Sequence, residues 1–291
     1  MRYLKKLPKF VKTIAKNPEV MYDFYKYLKN DVLALMGKFS YDYKVLYIAG
    51  LPKSGTTWME TQLARYPGYN IRYFHDPDGC VYEHDICDSV FSSLPKYRYS
   101  VLKLHTKYSK RNYETIRKYV PRFVVMIRDL RDMCVSRYFH VKKEKTHRHY
   151  ELYNGESVEV GLMHCITVIE EEYVSWVNDW IKVCRDNPDN IMLITYEELN
   201  CSPEETFKKV TNFFHLPVRT DFLEDAKRSN LQGERNLQQE LEKNFGIIKS
   251  TKRKGTIGDW KNYFSESHKK KFKEIAGNLM IELGYEKDMN W

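Results

Sequence analysis

The 291-residue sequence lacks the features that mark several classes of protein. No run approaches the about 18 consecutive apolar residues of a transmembrane helix. The basic first residues also lack the apolar core of about 7–15 residues that a signal peptide has. None of the six cysteines forms a C-x-x-C pair, so nothing indicates a zinc or thioredoxin-type site. Six cysteines in a chain of this length are too few for a secreted disulfide scaffold, and we expect free thiols and a cytoplasmic location.

The composition is that of an ordinary globular protein with a basic balance. Hydrophobic residues make up 42% and charged residues 30%, which excludes a disordered or low-complexity chain. The formal net charge of +9 should attract anionic ligands. Apolar residues at helical spacing between positions 7 and 36 predict one or two amphipathic helices. We expect residues 1–40 to form a helical segment packed on the domain; a helix that binds a membrane surface or a partner is the alternative.

Four short apolar runs alternate with helical segments along the rest of the chain. The predicted strands cover Lys44–Ala49, Tyr99–Leu104, Phe123–Ile127 and Ile191–Thr195. The predicted helices cover Thr56–Tyr66, a segment through Ser136 and Tyr138, about Val160–Arg185, a segment opened by a capping box at Ser202–Glu205 and ending near Phe214, and a segment from Ser265 to about Gly284. This alternation predicts one α/β domain over residues 41–291, with a central, mostly parallel sheet flanked by helices.

Chemically versatile residues follow each predicted strand. They are the loop Gly50–Thr57, His105, Arg128 and Tyr196. In parallel α/β sheets, ligands bind beyond the carboxyl ends of the strands. The sequence therefore predicts one composite site at this edge of the sheet.

The loop Gly50-Leu-Pro-Lys-Ser-Gly-Thr-Thr57 combines main-chain N–H groups, hydroxyls and an ammonium group at a helix N-terminus, all of which favour an anion. Its order differs from that of a Walker A loop, and no clear Walker B carboxylate is present to hold Mg²⁺. We therefore predict a phosphate cradle that works without metal. A Mg-dependent, kinase-like P-loop enzyme and a non-catalytic nucleotide-binding module are the alternatives.

Three segments in the same order resemble motifs of the cytosolic-type sulfotransferases, which use 3′-phosphoadenosine 5′-phosphosulfate (PAPS). They are Leu51-Pro-Lys-Ser-Gly-Thr-Thr-Trp58, Arg128-Asp-Leu-Arg-Asp-Met-Cys-Val-Ser136 and Arg253-Lys-Gly-Thr-Ile-Gly-Asp-Trp-Lys-Asn262. The resemblance implies a P-loop-like phosphosulfate-binding loop and transfer of a sulfuryl group from PAPS to a hydroxyl or amine by in-line displacement. The product nucleotide would be adenosine 3′,5′-bisphosphate, and no metal is expected.

The resemblance also implies roles for individual residues. Lys53 would stabilise the leaving oxygen, Lys103 would assist the sulfonate, and His105 would act as general base. The family pattern at these last two positions is K-T-H, and Leu104 replaces its Thr. The other residues implied to bind the nucleotide are Ser54, Gly55, Thr56, Thr57, Trp58, Arg128, Ser136, Tyr196, Ser229, Leu231, Arg253, Lys254 and Gly255. The segment Ser229-Asn-Leu231 lacks the aromatic partner that the family pattern has there.

The sequence says less about the acceptor and partners. Residues 74–92 carry five acidic residues and no Lys or Arg, which indicates either a solvated loop or a site for a cationic small-molecule acceptor; the acidic residues are Asp76, Asp78, Glu83, Asp85 and Asp88. The basic segment Lys142–His149 is interpreted as a solvated loop or a lid, and no nucleic-acid partner is expected. The dimerisation motif of the family is absent from Lys261–Lys270, which leaves the oligomeric state open.

Overall fold

The computed structural model describes residues 18–72, 79, 81, 84–217 and 254–291. Within them, five strands form one sheet in the order β2-β3-β1-β4-β5, and every neighbouring pair is parallel. The strands are β1 (Val45–Gly50), β2 (Tyr69–Ile71), β3 (Tyr99–Leu104), β4 (Phe123–Ile127) and β5 (Ile191–Thr195). The predicted fold class is confirmed. Strand β2 was not predicted, because three residues are too few to show a periodic pattern.

Helices connect the strands and cover both faces of the sheet. They are α1 (Pro18–Leu35), α2 (Thr56–Leu63), α3 (Ser89–Ser92), α4 (Lys110–Tyr119), α5 (Leu130–Val141), α6 (Tyr150–Tyr153), α7 (Val158–Val168), α8 (Val174–Asp186), α9 (Tyr196–Cys201), α10 (Pro203–Phe213) and α11 (Glu266–Glu282). A π-helical turn, Ile169–Tyr173, joins α7 to α8, and a 3₁₀ turn covers Asp259–Asn262. None of the helices in these ranges combines the length and apolar character that a membrane span needs.

The side chains of the two central strands alternate between two apolar layers. Tyr47 and Val125 belong to the cluster that includes residues of α5, α7 and α8. Ile48 and Val124 belong to the cluster on the other face, with residues of α2 and α10. Because both faces are covered, β1 and β4 read as almost continuous apolar runs, which is why their positions could be predicted.

Two predicted helix features differ in detail from the structure. The predicted Val160–Arg185 helix is divided by the π-helical turn. The predicted capping box at Ser202 does not form, although the proline at the start of α10 is where expected. Ser202 is both the C-terminal cap of α9 and the N-terminal cap of α10. The capping box in this region belongs to α9, where Thr195 and Glu198 exchange hydrogen bonds of 3.0 Å.

The expectation of free thiols is only partly correct. Cys134, Cys165, Cys184 and Cys201 are free. Cys87 is disulfide-bonded, to a partner outside the described residues. The pairing was missed because disulfide geometry depends on how the chain folds back on itself, which sequence spacing does not reveal.

Candidate active site

The carboxyl ends of β1, β3, β4 and β5 lie along one edge of the sheet, as parallel strands require. The loop after β1, His105 after β3, Arg128 after β4 and Tyr196 after β5 are brought together there. Direct contacts join them: His105 contacts Gly50, and Arg128 contacts both Lys53 and Tyr196. The predicted composite arrangement therefore exists in the fold.

The loop between β1 and α2 is held in a tight, unusual conformation. Lys53 has φ 68°, and Gly55, the residue before α2, has φ 81°. A Cβ atom on Gly55 would lie 2.9 Å from the ring of Tyr196, so only glycine suits both the backbone and the space. The buried hydroxyl of Ser54 donates to the main-chain carbonyl of Leu51 over 2.7 Å. Ser54 thus supports the loop from within.

The N-terminus of α2 is left available to an anion. It has no side-chain cap, and its first turn contains no acidic residue. The uncapped N–H groups and the helix dipole therefore favour a phosphate here. Thr57 lies in this turn, and its hydroxyl oxygen accepts a hydrogen bond of 2.5 Å from Nζ of Lys103. Because the ammonium group occupies an acceptor position, the hydroxyl hydrogen of Thr57 remains able to donate to a ligand.

Glu60 is a site residue that sequence reasoning missed. It lies one turn after Thr56 and is buried, with its Oε2 3.4 Å from Nζ of Lys103. Burial raises the pKa of Glu60, and the positive charge of Lys103 opposes that shift. The only available signal was an acidic residue on a helix that otherwise faces the core.

His105 is oriented by one hydrogen bond. Its Nδ1 lies 2.7 Å from the main-chain oxygen of Gly50. A carbonyl oxygen only accepts, so Nδ1 carries the proton and Nε2 is the basic nitrogen. Burial lowers the pKa of His105 to about 4, and the positive charges of Lys103 and Lys53 lower it further, whereas the Gly50 hydrogen bond raises it. The ring is therefore neutral at physiological pH.

Arg128 links three parts of the site. Its guanidinium donates to the main-chain oxygens of Lys53 and Thr256, over 3.2 and 3.0 Å. It also lies over the ring of Tyr196, 4.2 Å from the ring centre. Its Nε is buried and has no hydrogen-bond partner among the described residues. A buried guanidinium donor without a partner is well suited to an anion.

Asp132 holds the segment around Gly258 and Trp260 in place by hydrogen bonds. Its fully buried carboxylate accepts hydrogen bonds from the N–H groups of Gly258 and Trp260, over 2.7 and 3.0 Å, and lies 3.4 Å from Arg128. Burial raises the pKa of Asp132, and Arg128 and both N–H groups lower it. Its position in the first turn of α5, four residues after Arg128, is the sequence signal that could have identified it.

The remaining predicted nucleotide-binding residues vary in their surroundings. Gly255 accepts a hydrogen bond of 2.9 Å from the hydroxyl of Tyr196, whereas Nζ of Lys254 turns to Asp259, 3.2 Å away. Trp58 packs edge-on against Phe207. Thr56 is buried, and its side chain occupies the space that a Cβ atom on Gly50 would need. Ser136 is buried on α5; Ser229, Leu231 and Arg253 lie outside the described residues.

Two histidines near the site were also missed. His140 lies one turn after Ser136, and burial, with the positive charge of Lys53, lowers its pKa to about 4. His84 has φ 69°, an uncommon conformation for a residue other than glycine, and its Nε2 lies 3.5 Å from the hydroxyl of Tyr173. The helical spacing from Ser136 could have identified His140. A left-handed backbone at His84 results from tertiary packing and has no sequence signal.

The described part of the acidic stretch is neutralised by lysines. Asp85 pairs with Lys107 over 3.1 Å and Asp88 with Lys118 over 2.5 Å. Asp76, Asp78 and Glu83 lie outside the described residues. The two described carboxylates therefore provide no unpaired charge for a cationic acceptor.

The basic segment Lys142–His149 is tied to the domain at its end. Arg148 pairs with Glu172 over 2.5 Å, and His149 lies 2.7 Å from Arg137. These contacts differ from the fully solvated loop that was one interpretation of the sequence. Across the described ranges, no three His, Cys, Asp or Glu side chains are grouped so that they could hold a metal ion.

The sequence has relatives among known proteins. Residues 44–284 match the family model described as Sulfotransferase domain. Sulfotransferase 6B1 of Danio rerio is 32% identical over 163 residues, which cover 53% of this chain and 50% of that protein. A flavonol sulfotransferase-like protein of Flaveria bidentis is 25% identical over 323 aligned positions, covering 97% of both chains. The chain thus spans about half the length of the first relative and nearly all of the second.

Solved structures share the fold. The mouse sulfotransferase SULT7A1, solved in complex with PAP, has a TM-score of 0.62 and 18% identity, over 89% of this chain and 92% of that chain. A retinol dehydratase solved with retinol and PAP has a TM-score of 0.59 and 16% identity, over 87% of this chain and 85% of that chain.

Proposed function

Because the chain belongs to the sulfotransferase family, we propose that it transfers the sulfuryl group of PAPS to a hydroxyl or amine of a small-molecule acceptor, with His105 as general base. The observation that carries this proposal is the fixed tautomer of His105. Its Nδ1 donates to Gly50, so the basic nitrogen is Nε2, and its low pKa keeps the ring neutral and able to take a proton.

The residues present fit a nucleotide with phosphates at both ends. The uncapped start of α2, with Thr57 and Lys53, suits the 5′-phosphosulfate. Arg128, with its unpartnered Nε, suits the 3′-phosphate. The two groups adjoin, since Arg128 donates to the main-chain oxygen of Lys53 over 3.2 Å.

The proposed transfer needs positioning and charge stabilisation more than covalent chemistry by the protein. His105 would accept the acceptor proton at Nε2 as the acceptor oxygen or nitrogen bonds to sulfur. Lys53 would stabilise the phosphate oxygen that keeps the electron pair of the broken sulfur–oxygen bond. Lys103 would balance charge on the three sulfonate oxygens. The products are the sulfated acceptor and adenosine 3′,5′-bisphosphate.

The test is a transfer assay with sulfate-labelled PAPS and grouped phenols, alcohols, amines, guanidinium compounds and sugars, in buffer containing a metal chelator. We expect labelled product with at least one group and one equivalent of adenosine 3′,5′-bisphosphate per turnover. A parallel assay with ATP and Mg²⁺ should give no phosphorylated product. Phosphorylation by ATP, or high-affinity binding of PAPS with no transfer to any group, would instead support one of the two alternative functions.

Glu60 would act in this reaction as a positioning residue for Lys103. Thr57 and Glu60 together fix the ammonium group at the start of α2, with Nζ 2.5 Å from one and 3.4 Å from the other. A buried carboxylate is costly unless it is paired, and a buried ion pair adds little net stability, so the pairing of Glu60 with a proposed catalytic lysine favours a positioning role.

Replacing Glu60 with glutamine is expected to lower kcat by about tenfold, because Lys103 loses its fixed position, which corresponds to about 1.4 kcal/mol. The Kd of adenosine 3′,5′-bisphosphate should stay within about twofold. The melting temperature should fall only slightly, because Lys103 loses its charged partner but is partly exposed to water. Steady-state kinetics, calorimetry and thermal unfolding measure the three quantities. A fall in kcat that merely parallels a fall in melting temperature would make Glu60 a structural residue only.

A further inference from the structure

The helix α1 presents apolar side chains to solvent. Five large apolar residues between positions 25 and 36 are 46–64% exposed: Tyr25, Leu28, Val32, Leu35 and Met36. Their spacing of three or four residues places them on one side of the helix, in a stripe roughly 16 Å long at about 1.5 Å per residue. Exposed apolar residues are ordinary when scattered, but a continuous stripe indicates a binding surface.

The opposite side of α1 packs on the domain through the buried polar residues Asn30 and Asp31, together with buried Ala34, so the stripe faces solvent. Asn30 donates to the main-chain oxygen of Tyr69 over 3.1 Å. Asp31 pairs with Arg72 over 2.5 Å and with Arg98 over 2.9 Å. These contacts attach α1 to the β2 edge of the sheet through its polar face. The orientation is the reverse of the apolar packing that the sequence pattern predicts.

The stripe lies in a basic stretch of the sequence, since residues 1–38 contain nine Lys and Arg residues and three Asp and Glu residues. Lys29 and Lys38 are exposed beside it. In the sequence, residues 1–17 precede α1 directly and contain six Lys and Arg residues with no Asp or Glu. Apolar side chains flanked by basic residues match the boundary between acyl chains and anionic headgroups in a bilayer. Each basic residue near such a surface adds to the attraction, and salt screens that contribution.

We propose that the stripe Tyr25–Met36 docks the protein on the surface of an anionic phospholipid bilayer, with the exposed Lys29 and Lys38 beside it binding the headgroups. The charge argument disfavours a second copy of this chain as the occupant, because two segments of the same sign would face each other. The proposal is independent of the reaction assigned to the active site, which lies at the carboxyl edge of the sheet and not on α1.

The experiment is flotation of the full chain with vesicles of phosphatidylcholine alone or with about one third phosphatidylserine. We expect binding to the mixed vesicles that falls steeply with salt, and at least tenfold weaker binding to the neutral ones. The double variant Leu28→Glu/Val32→Glu should lose at least tenfold in partition coefficient. The double variant Val158→Glu/Val160→Glu, which changes charge equally at exposed apolar residues of α7, should bind like the unmodified protein.

Other outcomes would overturn the proposal. Equal binding to both kinds of vesicle would show that anionic headgroups are not recognised. Equal losses of binding in both double variants would show that only the added negative charge, and not the stripe, matters. Absence of vesicle binding, with a dimer in sedimentation that Leu28→Glu/Val32→Glu abolishes, would assign the stripe to a second copy. A further variant, Lys29→Gln/Lys38→Gln, leaves the apolar stripe of α1 intact and should reduce binding and its salt dependence. Unchanged binding would count against the proposal.

Discussion

Replacing His105 with alanine is expected to reduce kcat by about 10²–10⁴, the usual contribution of a positioned general base. The Kd of adenosine 3′,5′-bisphosphate should change by less than about threefold, because the contacts of His105 are to Gly50 and not to the proposed phosphate groups. Transfer kinetics and calorimetry measure the two quantities. The surface variant His164→Ala is the control, since the ring of His164 contacts only the main-chain oxygen of Leu152 in the described residues.

The pH profile gives this prediction a second, independent readout. The pKa of His105 lies at about 4, below the ordinary value near 6.5, so the base stays neutral as pH falls through most of that interval. The acid limb of kcat/KM for the donor should therefore lie near pH 4–5. In the donor complex the negative sulfonate favours the protonated ring, so the acid limb of kcat should lie at higher pH. An acid limb that persists unchanged in His105→Ala would exclude His105 as the base.

The lowered pKa of His105 also makes the stability of the folded protein depend on pH. Between pH 6.5 and about 4 the unfolded chain binds a proton at this histidine and the folded chain does not. The free energy of unfolding should therefore fall as pH decreases through this interval. His140 and His147, whose pKa values burial also lowers to about 4, contribute in the same direction.

Replacing Arg128 with alanine is expected to weaken binding of adenosine 3′,5′-bisphosphate by about 10²-fold. The lost hydrogen bonds to a phosphate are charge-assisted, and such bonds contribute roughly 1.5–3 kcal/mol each. Adenosine 5′-phosphate, which lacks the 3′-phosphate, should lose much less affinity. Calorimetry with both nucleotides measures the difference, and an equal loss for both would mean that Arg128 acts on the loop instead of on the 3′-phosphate.

The variant Arg128→Lys separates charge from geometry. Lysine keeps the positive charge near buried Asp132 but lacks the planar fork that contacts Lys53 and Thr256. We expect most of the stability lost in Arg128→Ala to return, because the Asp132 carboxylate regains a cation. The affinity for the 3′-phosphate should return only in part.

The sequence predicted element positions correctly where the local apolar pattern matches the burial that the fold imposes. Strands β3, β4 and β5 were predicted to the residue, because buried strands of a parallel sheet read as apolar runs between turns. The loop after β1 and the positions of His105 and Arg128 followed from strand ends. By contrast, β2 was too short to show a pattern, and the Ser202 capping box failed because another helix ends at the same residue.

What the order of residues alone established is the α/β fold and the edge of the sheet where the site lies, since both follow from which segments are apolar and where they end. Folding decided which distant groups meet. Glu60 beside Lys103, Asp132 beneath the loop at Gly258, and the left-handed His84 depend on contacts between segments far apart in the chain. The outward apolar face of α1 was decided in the same way. Asn30 and Asp31 pair with groups at the sheet edge, a match between distant segments that the helix's own sequence does not reveal.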